Sequence, residues 1–98
     1  MATYVSLLYF TQKTFASIKD LIPQLDAAKA AYQEMGVNLI EAHLAMGREF
    51  DAVIICEAPN EESVMKVALY VSMQGNARIE SFRIFSEAEV KSLISALP

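Results

Sequence analysis

The only imidazole in the chain, His43, lies two residues after Glu41 in the run Asn38-Leu39-Ile40-Glu41-Ala42-His43-Leu44. A group that titrates near neutrality can work as an acid, a base or an anion contact. On an edge strand it can equally be a solvated or hydrogen-bonded residue with no chemistry. A second carboxylate, Glu57, follows the apolar run Ala52-Val53-Ile54-Ile55-Cys56. A charge in that setting calls for an ion pair, with an arginine or with a second subunit, or else it accepts a proton in a reaction. His43 and Glu57 are the catalytic candidates. In a regular hairpin register they share a face, where the carboxylate would favour the charged imidazole. A slip of one residue would part them. Tyr4, Ser6 and Arg83 join them as candidates for binding a ligand. Whether Arg83 or Arg78 faces that site depends on the register of the last strand.

Two other residues have structural readings. Asp51 caps the turn before the strand or bonds a nearby backbone N–H, and Gly47 lets that turn form. Cys56 sits inside an apolar strand and is expected to be buried and inert.

Several chemistries lack their parts. One His and one Cys cannot make the usual zinc sets. No glycine loop suited to phosphate is present, and no nucleophile motif surrounds a serine. The methionines are expected at core positions of helices and strands, where packing explains them better than ligation. No metal and no cofactor are expected.

The elements that must position these residues follow from hydropathy and turn signals. Residues 2–10 form a strand that is apolar on both faces, with Val5, Leu7 and Tyr9 on one and Tyr4, Leu8 and Phe10 on the other. Such a strand is central and covered on both sides. A helical region starts at Thr11. Asp20 is placed to cap its main segment, which carries the stripe Leu21, Leu25, Ala28, Tyr32, Met35 and stops at Gly36. Residues 38–46 alternate as an edge strand, with Ile40, Ala42, Leu44 and Met46 on one face and Leu39, Glu41, His43 and Ala45 on the other. After a short turn at Gly47-Arg48-Glu49, residues 50–58 complete an antiparallel hairpin. Asn60 caps a helix that runs to about Gln74 and is apolar over two stripes, so it needs cover from two directions. A fourth strand spans 77–85. Ser86 and Glu89 have capping-box spacing, and the final helix they open is expected to cover the second stripe, Met65, Leu69 and Met73. The order is βαββαβ plus a terminal helix, an α+β ferredoxin-like sandwich.

Length and charge narrow the partners. The chain has 98 residues with 54% hydrophobic and 20% charged, which reads as a single domain over 1–98. For so small a chain this is apolar, and points to a dense core or to surface hidden against a partner. The net charge is −4 with no basic cluster, so nucleic acid is not an expected partner. No apolar run approaches the ~20 residues of a membrane span, and no leader pattern opens the chain. A membrane partner is not expected, and the cytoplasm is the expected compartment.

The run Met46-Gly47-Arg48-Glu49-Phe50-Asp51-Ala52-Val53-Ile54-Ile55-Cys56-Glu57-Ala58-Pro59-Asn60 resembles the signature of the GYD domain family. There a Gly, a spacer, Tyr and Asp open a strand that ends in Glu, a small residue, Pro and an acidic or amide residue. Gly47, Phe50, Asp51, Glu57 and Pro59 stand at the motif positions. The opening Thr3-Tyr4-Val5-Ser6-Leu7, the segment Gly75-Asn76-Ala77-Arg78 and the ending Phe82-Arg83-Ile84-Phe85-Ser86-Glu87 are similar to the family as well. Here the turn is one residue longer, and Phe50 replaces the Tyr that names the family, which removes that phenol oxygen. The resemblance implies a dimeric α/β barrel with two sheets packed face to face. It implies no particular activity.

Two functions stay open on these grounds. One is a homodimer or larger homo-oligomer, with a small-molecule ligand held between sheet and helices near His43 and Glu57. The other is a small cofactor-free enzyme, a monooxygenase or an isomerase, of the dimeric α/β barrel class. The second rests on fold analogy.

Overall fold

The computed structural model describes residues 1–47 and 49–98. Strand β1 (Ala2–Phe10) leads into a short helix α1 (Gln12–Ala16), a 3-10 turn (Ile18–Asp20) and helix α2 (Leu21–Glu34). Strands β2 (Asn38–Leu44) and β3 (Ala52–Ala58) follow, then α3 (Glu61–Gln74), β4 (Ala77–Ile84) and α4 (Glu87–Ser95). The sheet has the order β2-β3-β1-β4, and every neighbouring pair is antiparallel. This is the ferredoxin-like α+β arrangement, with β1 at the centre where its two-sided apolar character belongs.

One face of the sheet holds the core. Tyr4, Ser6, Ile54, Cys56 and Ala58 point under the helices and meet Tyr32 of α2 and Val64 and Val67 of α3. Each large apolar side chain buried here contributes roughly 1.5–3 kcal/mol. The helix ends follow local chemistry. Asn60 accepts a bond from the Ser63 N–H at 2.9 Å to open α3. Gly75 closes that helix at φ +74°, in the left-handed region that strains other residues. Pro23 sits in the first turn of α2, where its missing N–H costs nothing.

Three expectations need correction. Leu39 lies on the core side opposite Cys56, because a bulge at Ile40 shifts the register between Leu39 and Glu41. The hairpin strands end earlier than the alternation suggests, at Leu44 and Ala52, and the Ala45 N–H donates to the Asp51 carbonyl at 2.9 Å. The expected turn at Gly47-Arg48-Glu49 includes Arg48, which lies outside the described residues.

The third correction is the largest. Helix α4 does not cover α3. None of its residues is buried, and among the described residues no element packs substantially on it. Only Phe85 and Ser86 separate it from β4. Ser86 and Glu89 form the expected capping box, and the Arg83 guanidinium bonds Glu89 at 2.8 Å while lying over the Phe85 ring. These contacts tie the first turn of the helix to the end of β4. The radius of gyration is accordingly 14.8 Å, against about 13 Å for a compact chain of this length.

Candidate functional site

A cavity of about 350 Å³ lies between α2, α3 and the sheet. Its walls are mostly apolar: Leu21, Leu25 and Ala28 from α2, Tyr70 and Val71 from α3, and Leu8 and Ile54 below. The space exists because elements far apart in sequence meet there through alanines, Ala28 on α2, Ala42 on β2, Ala52 on β3 and Ala77 on β4. Side chains that stop at Cβ leave room that leucines would fill. The volume is at the lower end of the range for small-molecule sites.

Polar groups gather at one end. The buried Thr14 hydroxyl donates to the Asn76 carbonyl at 2.6 Å, the Thr11 hydroxyl to the Gly75 carbonyl at 2.7 Å, and Lys13 Nζ to the Gln74 carbonyl at 2.8 Å. Together they tie the α3–β4 turn to α1 and brace that end of the cavity. Gln24 reaches the Ser17 hydroxyl at 3.3 Å. No carboxylate, lysine or arginine lines the cavity among the described residues, so the chamber suits an uncharged occupant.

Tyr32 also lines the cavity. It is 1% exposed, and its hydroxyl has no hydrogen-bond partner among the described residues. Burial pushes this phenol above its ordinary range, with a smaller contribution from the Cys56 thiol, so it stays protonated. Burial likewise pushes the Cys56 thiol up, and that residue is 2% exposed. A thiol held in this form is a poor nucleophile.

The candidates from the sequence fall into three places. Tyr4 and Ser6 lie under the helices, with the Ser6 hydroxyl 2.8 Å from that of Ser81. His43 and Glu57 stand on the opposite, helix-free face, since His43 pairs with Val53 and Glu57 with Asn38 and Thr3. They share that face, but four residues of β3 separate them, about 13 Å along a strand. The structure does not bring them together. His43 Nε2 instead lies 3.9 Å from Glu41 Oε2, both side chains well exposed. His43 borders the cavity at the β2 edge, although pairing sets its side chain opposite to Ala42 and Leu44.

Register decides the arginines. Arg78 lies on the helix-free face opposite Tyr9, 3.8 Å from that ring's centroid and 3.0 Å from Glu80. Arg83 lies on the other side, held by Glu89. At the family-motif positions, Asp51 has a defined task. Its Oδ2 accepts the Phe10 N–H at 2.8 Å and its own N–H donates to the Leu8 carbonyl at 2.8 Å, joining the end of β1 to the start of β3. Gly47 lies in the β2–β3 connection, Phe50 is half-buried just before β3, and Pro59 is exposed at the entry to α3.

The helix-free face is apolar along its centre. Val5 and Leu7 of β1 and Val53 and Ile55 of β3 are half-buried in a row, and Phe82 of β4 is 47% exposed beside them. Thr14, Gln24, Tyr32 and the lining alanines were not singled out as site residues from sequence. Their one local signal was the α2 stripe that contains Ala28 and Tyr32.

Among the described residues no group of three or more His, Cys, Asp and Glu gathers to hold a metal, and no helix is long and apolar enough to cross a membrane. Comparison with curated proteins finds no match. The family model described as GYD domain matches residues 4–94, nearly the whole chain. With that match over a ferredoxin-like fold, the chain belongs to the GYD domain family.

Proposed function

We propose that this protein is a homodimer that binds a small, uncharged, largely apolar molecule between α2, α3 and the sheet. The observation that carries the binding role is the cavity of about 350 Å³, walled by apolar side chains and free of charged ones among the described residues. Burial of hydrocarbon surface supplies the affinity at about 25 cal/mol per Å², and the glutamine and asparagine groups at one end set orientation. Dimerisation follows from the second sheet face. Val5, Leu7, Val53, Ile55 and Phe82 form an apolar surface that a monomer leaves in contact with water. A second copy packed face to face would cover it. A reducing compartment such as the cytoplasm suits the single thiol, which has no partner in its own chain. Binding is favoured over catalysis because no carboxylate or lysine reaches the cavity among the described residues, and strand pairing sets the His43 side chain at its edge toward the opposite face of the sheet.

Native mass spectrometry of protein purified without denaturant tests the reading, with 1-decanol titration by calorimetry as the defined probe. The expected result is one decanol per chain. Ala28→Phe, which fills the cavity from α2, should weaken that binding at least tenfold while circular dichroism stays unchanged. Undiminished binding by a folded Ala28→Phe protein would overturn the assignment of the site.

A further inference from the structure

Two apolar surfaces remain bare in the single chain, and they match each other. On α3, Met65, Leu69 and Met73 are 59%, 62% and 76% exposed. On α4, Val90, Leu93 and Ile94 are 40%, 54% and 61% exposed, and Leu97, just past its end, is 69% exposed. Helix α4 spans nine residues and buries none of them. A helix that short is marginal in water and takes its stability from packing of an apolar face. In the single chain it makes no substantial contact with its own α3 among the described residues, and only Phe85 and Ser86 link it to β4.

We propose that α4 of one copy packs on the Met65-Leu69-Met73 stripe of a second copy, in a reciprocal two-fold exchange. The lengths agree: nine helical residues extend about 13 Å, and Met65 to Met73 spans about 12 Å. An antiparallel crossing sets Ile94 and Leu93 over Leu69, and Leu97 over Met65. It also keeps Glu87 away from Glu61 and Glu62 at the start of α3, and opposes the two helix dipoles. Each of these side chains leaves roughly 60–120 Å² of apolar surface in water, so two symmetric exchanges bury on the order of 1,400 Å², within the range of a standard stable interface. Both halves of the contact lie on one chain, so a two-fold pair satisfies both patches with nothing left over. The contact is separate from the helix-free sheet face and holds with or without it.

The test is a disulfide formed only across the proposed contact. Chains carrying Leu69→Cys and chains carrying Leu93→Cys, each with Cys56→Ala, are mixed and mildly oxidised. The expected product is a heterodisulfide joining the two variants, identified by mass spectrometry. A second pair, Met65→Cys with Leu97→Cys, should cross-link in the same way and guards against a misfolded first pair. A folded protein that dimerises yet yields neither heterodisulfide overturns the exchange while leaving the sheet-face dimer standing. Placing Leu69→Cys and Leu93→Cys on one chain supplies the converse check. Efficient closure within a monomer would show that α4 folds back on its own α3, and would overturn the proposal equally.

Discussion

Ile54 and Ile55 are adjacent on β3 and chemically identical, yet they have different surroundings. Ile54 points under the helices and is 4% exposed, whereas Ile55 faces the helix-free side and is only half-buried. The whole strand repeats this, with Ala52, Ile54, Cys56 and Ala58 buried and Val53, Ile55 and Glu57 less so. The difference lies in what the fold places over each face and not in the residues. An apolar centre such as Val5, Leu7, Val53 and Ile55, rimmed by charged side chains and left without helices, has the character of a surface completed by another molecule.

Alanine at each position measures that difference. Ile54→Ala should cost about 2–5 kcal/mol, because the methyl groups leave a cavity in a packed core. Ile55→Ala should cost less at low protein concentration. As concentration rises and a second copy covers the face, its cost should grow by mass action. Urea unfolding of both variants at micromolar and sub-micromolar concentration reads the two quantities. A concentration-independent cost at Ile55 would leave this face without a partner of its own kind.

Carboxylates offer a smaller version of the same contrast. Asp51 accepts the Phe10 N–H and is half-buried between β1 and β3. Asp51→Ala strands that N–H and should cost about 1–3 kcal/mol. Glu57 is on the helix-free face and makes no ion pair among the described residues. Glu57→Gln should stay within about 0.5 kcal/mol in the monomer. Thermal unfolding of the two variants side by side checks the ordering. A cost at Glu57 equal to that at Asp51 would reveal a partner for Glu57 that the single chain lacks.

The legible part of the fold was the part governed by local rules. The α2 stripe, the Asn60 cap, the glycine stops and the Ser86–Glu89 box depend on residues within one or two turns of each other. The bulge at Ile40 was not legible, because it answers to the pairing of β2 with β3, and it moved Leu39 to the core. The lack of packing between α4 and α3 is not legible either, since an apolar stripe states that cover is needed without stating where it comes from. Alternation did place His43 and Glu57 on one face. Their separation followed from pairing, which sets Val53 rather than Glu57 across from His43. The cavity was hidden for the same reason. Ala28, Ala42, Ala52 and Ala77 are unremarkable one by one and open a chamber only where four elements converge.

Tyr32 carries a small expected effect with the most informative sign. In a well-satisfied core, removing a tyrosine hydroxyl breaks a hydrogen bond and costs about 1 kcal/mol. Here the hydroxyl is buried with no partner among the described residues, so the isolated chain carries its desolvation with no bond in return. Tyr32→Phe should therefore leave the ligand-free protein unchanged or more stable by up to about 1 kcal/mol. The ring keeps its packing against the core, so no cavity term offsets the gain. The phenol stays protonated well above neutral pH, which makes the comparison independent of pH between about 6 and 9. Calorimetric unfolding of wild-type and Tyr32→Phe proteins, stripped of ligand and then saturated with 1-decanol, measures both conditions. A destabilised Tyr32→Phe protein in the stripped state would mean that an ordered water or a shifted neighbour already serves the hydroxyl. A variant that loses stability only in the presence of decanol would place the alcohol group of the probe within reach of Tyr32.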